Sequence, residues 1–519
     1  MEFELEEVTI ADLRMRLESG ETTAVGLAQA YLERIEAIDR GGVRLGSVIE
    51  VNPDVQEIAH RLDVERRERG SRGPLHGIPV LVKDNLDTAD KMMTTAGSLA
   101  LVGHRAQRDA TVVRALRDAG AVVLGKLNLS EWANFRSPHS TSGWSGRGGQ
   151  CRNPYALDRT PWGSSAGSGA AASANLAAAT IGTETDGSIV LPAAASGVVG
   201  IKPTVGLTSR AGVIPISTSQ DSVGPLARTV ADAAAVLTAM VTGADPLDPA
   251  TSGSVDAAGI DYTRFLDAGG LAGARIGVPR KVYFGYSEKA DAVVEGALHA
   301  LRDLGADVVD PADLPNAEHL TFLGSELTVL LYEFKAGLNQ YLAQVGSDLP
   351  VHSLADVIAF NEQHAAEELP YFGQEFFLMA EAKGSLDEAE YRTAIDLSHR
   401  RSRREGIDAV MDKHQLDALV MPTTSPPWKI DVIVGDHIQG MGSSPAAQAG
   451  YPLVTVPAGF VQGVPVGLLF SGRAHSEPTL IRLAFAFEQH TRQRRPPRLL
   501  PHALAEPPVS DDVAVPQPG

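Results

Sequence analysis

The chain has 519 residues, 44% hydrophobic and 21% charged, with a formal net charge of −19. This is the composition of a soluble globular protein, and the acidic excess argues against a nucleic-acid partner, which needs Lys/Arg clusters. The single cysteine, Cys151, excludes an internal disulfide and a thiolate metal cluster, the N-terminus MEFELEEVTI has no apolar signal core, and no apolar run approaches the roughly 20 residues that span a bilayer.

In chain order, residues 9–39 carry a helical pattern (Leu13, Leu17, Leu27, Tyr31, Leu32, Ile35), broken at Gly20 and restarted at Thr22-Thr23. N-terminal helices are expected over 8–70. Ile78–Val82 is a buried-strand run that delivers Lys83 at its end. A helix over 109–119 and a strand over 121–124 follow, then an Ala-rich helix over 168–179. A strand over 198–201 and a helix over 230–240 come next, and 243–270 is loop-like. A strand restarts at Ile276, with helices over 289–304 and 324–344. Residues 345–400 are polar and helical without a clear core stripe, and are expected to form a cap or insertion. Strands return over 418–421, 453–457 and 464–470, before a helix over 478–491. The tail 505–519 is Pro-rich and expected to be disordered. Strands alternating with helices predict an α/β fold, one large domain over 1–500 with a central mixed sheet flanked by helices.

The informative segment is 163–204. Two Gly/Ser loops, GSSAG and TDGS, flank a helix-and-strand unit and can fold back to face each other. That builds a hydroxyl pair beside free N–H groups, the equipment of acyl transfer. GSSAG also fits the G-x-S-x-G elbow with Ser165 as nucleophile, but that motif requires a preceding strand, and NPYALDRTPW reads as a loop. Gly120 to Lys126 has Walker A spacing, yet Leu127 stands where a Ser/Thr would hold magnesium, and the middle is an apolar strand. Cys151 has no adjacent histidine and reads as an ordinary thiol. His76 is better explained by packing than by base chemistry. The fourteen histidines show no paired metal-ligand spacing, so no metal or other cofactor is expected.

A serine nucleophile needs a base. Lys83 follows the apolar run IPVLV, so its stem is expected to be buried, and burial lowers a lysine's pKa toward neutrality. It is equally consistent with a structural ion pair to Asp84.

GPLHGIPVLVKDN, LGKLNLSEW, GSSAGSG, GTETDGSIVLPA and GVVGIKPTVG, in this order and spacing, resemble the amidase signature family, and the resemblance runs over nearly the whole chain. It implies a Ser–cis-Ser–Lys triad of Ser188 (nucleophile), Ser164 (bridge) and Lys83 (base), with a cis peptide between Gly163 and Ser164. It further implies an oxyanion hole from the backbone N–H groups of Thr185, Asp186, Gly187 and Ser188. The implied activity is hydrolysis of amide C–N bonds through an acyl-enzyme.

This chain departs from the family's usual T-D-T-G-G-S-I-R loop: Glu184 stands for Asp, Asp186 for Gly and Val190 for Arg. Asp186 keeps its backbone donor but adds a carboxylate that would oppose an oxyanion unless it points away. The variant GTETDGSI, with NLSEWANFRS and SRAGVIPISTSQDSVGP, looks most like bacterial peptide amidases, which remove the C-terminal amide of peptides. The alternatives are broad aryl-acylamidase or carbamate hydrolysis, an inactive binding homologue, or an amidotransferase A-type glutaminase subunit. Residues 132–142, with Asn134, Phe135 and Arg136, are expected either to form substrate wall or to pack the catalytic loop. The expected partner is a small-molecule or peptide amide, the expected location cytoplasmic, and the expected state a monomer or homodimer.

Overall fold

The helical pattern at the N-terminus resolves into helices Ile10–Ser19 and Ala24–Arg34, and the capping residues explain the break. Thr9 and Asp12 form a reciprocal capping box, Gly20 ends the first helix in the left-handed region, and Thr23 caps the second. The structure, a computed structural model, describes residues 5–504. The tail expected to be disordered over 505–519 lies outside the described residues.

Behind these helices runs a mixed sheet. Its strands, with a short separate hairpin, are β1 (Val48–Val51), β2 (Pro79–Lys83), β3 (Val122–Leu127), β4 (Trp144–Ser145), β5 (Gly149–Gln150), β6 (Ala179–Glu184), β7 (Val199–Lys202), β8 (Ser222–Ala227), β9 (Arg275–Gly277), β10 (Asp307–Val309), β11 (Ala418–Pro422), β12 (Leu453–Val461) and β13 (Val464–Ser471). The order is β1-β3-β2-β6-β8-β7-β12-β13-β11-β9-β10, with β4 and β5 paired apart. The β3–β2–β6 and β11–β9–β10 pairings are parallel and the rest antiparallel. β2, β3, β6 and β8 are buried along their full length because helices cover both faces. Among the described residues no helix is long and apolar enough to cross a membrane.

Two local expectations change, and one strand appears that the sequence pattern does not show. The Ala-rich helix is shorter than expected, Ala166–Ser173, because Asn175 adopts a left-handed φ of 58° and the chain re-enters the sheet at Ala179. β8 contains Gly224-Pro225, which conceals it as a central strand. Pro225 pairs with Ile181 of β6, whereas β7 pairs only with Leu226 and Ala227, so the missing N–H costs no ladder bond to β7. Finally, 345–400 does carry a core stripe. Leu354, Val357 and Ile358, then Phe376, Phe377 and Ala380, pack with Trp132, Phe135, Leu330, Phe334 and Leu338 into a second hydrophobic cluster. The stripe is split between two helices of 10 and 7 residues, each too short to show a period by itself.

Candidate active site

The parallel strands β2 and β6 lie side by side, and chemistry collects at their carboxyl ends. Lys83, the last residue of β2, is fully buried. Its Nζ lies 2.8 Å from Ser164 Oγ, 3.0 Å from Ser165 Oγ and 2.9 Å from Thr183 Oγ1. Asn85 Nδ2 donates to the same threonine oxygen at 3.0 Å. Asp84 turns elsewhere, to Thr95 Oγ1 and to Arg147 at 3.3 Å. Burial pushes the Lys83 amine down to about 7, opposed by the charges of Asp221 and Glu184.

The two serine loops meet as the sequence suggested. Ser165 N donates to Ser188 O at 3.1 Å, Ser130 N donates to Ser164 O at 3.0 Å, and the Gly163–Ser164 peptide is cis. Ser164 and Ser165 are fully buried, whereas Ser188 is 8% exposed and opens onto a cavity. Ser165 Oγ donates to Thr183 O at 3.0 Å. Its proton is thereby committed, so toward Lys83 it can only accept. The segment leading into Ser165 is irregular, with no strand directly before it, so the nucleophile-elbow geometry is absent at GSSAG.

The turn from β6 to the helix Val190–Ala195 is held from several sides. Glu184 accepts from Ile189 N at 2.7 Å and Val190 N at 2.9 Å, which closes it. Thr185 Oγ1 donates to Asp221 at 2.6 Å. The Asp186 carboxylate is held by two hydroxyls: its oxygens accept from Ser443 Oγ at 2.6 Å and Ser444 Oγ at 2.7 Å. Val190 is buried beside Trp162 and Leu191 in an apolar cluster. Among the described residues the N–H groups of Asp186, Gly187 and Ser188 have no protein acceptor.

Gly187 has a φ of 80°, and a Cβ there would sit 2.4 Å from Leu191 Cδ1 and 2.9 Å from Ser443 Oγ. Gly187→Ala is therefore expected to lower kcat by about 10²-fold, through displacement of the flanking N–H groups, and to cost about 1–3 kcal/mol of stability. Steady-state kinetics and a thermal melt check both.

The cavity holds about 390 Å³. Its walls are mainly apolar, including Phe135, Trp162, Leu191, Ile216, Phe322, Phe376 and Met441, with Asn134, Thr185, Asp186, Ser188 and Asp436 among the polar groups. Among the described residues no lysine, arginine or histidine lines it. Asn134 and Phe135 are thus on the wall, but Arg136 is not. Arg136 is fully buried behind it, paired with Glu131 and 3.6 Å from Glu368, with its guanidinium over the Phe372 ring at 4.2 Å. Trp132, Ala133 and Asn134 have φ of 51°, 54° and 70°, so neighbouring side chains in this stretch leave in different directions. Two buried carboxylates capture the arginine, since an unpaired charge there would be costly.

Cys151 is buried and burial pushes its thiol well above the usual range, which opposes thiolate chemistry. His76 bonds Arg72 N and Leu62 O, consistent with packing. Lys126 of β3, in the Walker-like stretch, donates to Leu86 O and Thr94 Oγ1. Asn85, Thr183, Gln220 and Asp221 sit inside the sequence motifs, yet the motifs point to their neighbours rather than to them. Glu326, Ser443 and Ser444 carry no local signal.

A family model described as Amidase matches residues 26–481. A probable amidase of Arabidopsis thaliana is 45% identical over 508 residues, covering 96% of this chain and 93% of its own. A putative amidase of Schizosaccharomyces pombe is 38% identical over 530 residues, covering 97% and 89%. Among solved structures, the native peptide amidase from Stenotrophomonas maltophilia is 54% identical with a TM-score of 0.91, covering 95% of this chain and 99% of that one. A complex of the peptide amidase PAM with the competitive inhibitor chymostatin is likewise 54% identical, with a TM-score of 0.92 and 95% and 100% covered.

Proposed function

Because the chain belongs to the amidase family and is an amide-hydrolysing enzyme, we propose that it works through an acyl-enzyme on Ser188, with Ser164 as bridge and Lys83 as base, on neutral peptide C-terminal amides or related small carboxamides. The observation that carries this reading is the environment of the Lys83 amine. Ser165 Oγ and Thr183 Oγ1 are placed to accept the two N–H bonds of a neutral amine, which leaves its lone pair for Ser164 Oγ at 2.8 Å. Lys83 takes the proton of Ser164 as Ser164 takes that of Ser188, and Ser188 Oγ bonds to the amide carbon. The carbonyl electron pair moves onto oxygen, facing the N–H groups of Thr185, Asp186, Gly187 and Ser188. Collapse breaks the C–N bond, the relay returns the proton to the departing amine, and water repeats the sequence to release the acid.

The substrate class rests on the cavity. Its apolar wall suits an aromatic or aliphatic acyl side chain. With Asp186 and Asp436 as its charged residues and no cation among the described residues, it has nothing to pair with a substrate carboxylate. That favours amides with a neutral acyl part over free glutamine, whose α-carboxylate would be buried unpaired. The peptide amidase likeness supports the same choice. A cytoplasmic location is part of this reading.

A panel of N-acyl peptide amides, anilides, carbamates and free glutamine tests it. The highest kcat/KM is expected for a neutral peptide amide with an apolar residue, with glutamine at least about 10²-fold lower. Glutamine as the best substrate would refute the substrate assignment.

A further inference from the structure

The cavity opens between two segments that carry apolar side chains with no place in the core. Leu323 and Ile438 both line it, but they are 76% and 51% exposed, which puts them at its mouth. Neither belongs to a hydrophobic cluster among the described residues. The backbone that carries them is nonetheless held in place. Phe322, beside Leu323, lines the cavity and packs on the second hydrophobic cluster, its ring centroid 6.0 Å from that of Phe376. Ile438 ends a loop folded around Asp431, whose side chain accepts from Ile433 N and Val434 N at 2.9 Å each and meets His437 Nε2 at 3.1 Å.

This loop is pinned to the wall segment 139–142. Thr141 Oγ1 donates to Asp431 O at 3.0 Å, Asp436 N to Ser140 O at 3.1 Å, and Ser142 N to Asp436 Oδ1 at 2.9 Å. Gly435, with a φ of 87°, runs so close to that segment that a Cβ would stand 2.6 Å from His139 O. Apolar side chains held out on the fixed rim of a binding cavity are placed to meet what enters it.

We propose that Leu323 and Ile438 form an outer subsite for the side chain of the residue that precedes the amidated one. The preferred substrate is then a peptide amide of at least two residues, apolar at both positions. This rests on the peptide-amide reading made above and extends it. The carbonyl to be attacked must lie at Ser188, so the amidated residue occupies the inner walls at Phe135, Trp162 and Ile216, which are buried. The chain before it leaves by the mouth, and one extended residue advances it by about 3.5 Å.

The experiment compares N-acetyl leucyl-leucine amide with N-acetyl glycyl-leucine amide. It reads kcat/KM in the wild type and, in a Ser188→Ala background, Kd by titration calorimetry. Wild type should favour the leucyl substrate about tenfold or more, and the double variant L323S/I438S should bring that ratio to within about twofold of one. The preference should lie in KM and Kd rather than in kcat, because the rim does not touch the reacting atoms. I433S removes a side chain that is 90% exposed on the same loop but does not line the cavity, and should keep the wild-type ratio. A wild-type ratio near one, a ratio that L323S/I438S leaves intact, or a ratio lost equally in I433S overturns the subsite. Sedimentation showing a wild-type dimer that L323S/I438S dissociates gives the rim to a second copy and overturns it too. If the leucyl amide binds about tenfold tighter but neither amide is hydrolysed, the functional reading fails and the subsite stands.

Discussion

Ser188→Ala is expected to reduce amide turnover by at least about 10⁴-fold, to the level set by binding and the oxyanion donors alone. The hydroxyl is the one serine oxygen of the two loops that opens onto the cavity: Ser164 and Ser165 are fully buried, and Ser188 is 8% exposed. The loss should fall on kcat, because the apolar walls that hold the acyl group are untouched by removal of one oxygen. A sulfonyl fluoride should label the wild-type chain once, on the peptide containing residue 188, and should not label the variant. The rival assignment is Ser165, the elbow serine of GSSAG. Its hydroxyl is committed to Thr183 O, so Ser165→Ala should perturb Lys83 rather than abolish labelling. Near-normal turnover by Ser188→Ala, or labelling that moves with Ser165, would remove Ser188 as nucleophile.

The parts of the site that were legible in the sequence are those that neighbour one another along the chain or across a pair of adjacent strands. A run of five buried residues ending in lysine, and two Gly/Ser loops around one helix, specify β2, β6 and the meeting of Ser165 N with Ser188 O. What holds the loop in shape was not legible. Asp221 is 36 residues from Thr185, while Ser443 and Ser444 lie 257 and 258 residues beyond Asp186. No periodicity or spacing connects side chains at such separations, since only the closed sheet brings them together. Asp186 shows the consequence. From sequence it is a carboxylate set beside an oxyanion, whereas in the fold its two oxygens are taken up by the hydroxyls of Ser443 and Ser444. Arg136 fails for the opposite reason: chain proximity to Asn134 suggested a shared wall, and a left-handed stretch of backbone separates them. The fold itself was largely readable, because most strands and helices are patterned by burial. β8 escaped because Gly224 and Pro225 mimic a turn, although Gly224 is there to let β7 approach, with Ile201 O 2.0 Å from where a Cβ would stand.

Lys83→Met should lose about 10³-fold or more in kcat/KM and, more tellingly, the pH dependence that the amine imposes. The amine is brought to about 7 by burial. A base must be neutral to accept a proton, and the neutral fraction grows as pH rises through that value. Wild-type kcat/KM should therefore climb about tenfold per pH unit below about 6 and level off above about 8, until any alkaline loss sets in. The direction is the discriminating feature. Were Lys83 needed as a cation, to pair with Asp84 or to bind an anion, the rate would fall over the same range. The geometry argues against that role: Asp84 is turned to Thr95 and Arg147, and the four oxygens around Nζ belong to hydroxyls and a carbonyl. Lys83→Arg sharpens the test, because guanidinium stays charged throughout and fits a bidentate partner that is not there. It should be as inactive as Lys83→Met at every pH. A Lys83→Arg enzyme with wild-type rates would show that charge, not proton transfer, is what the site draws from this residue.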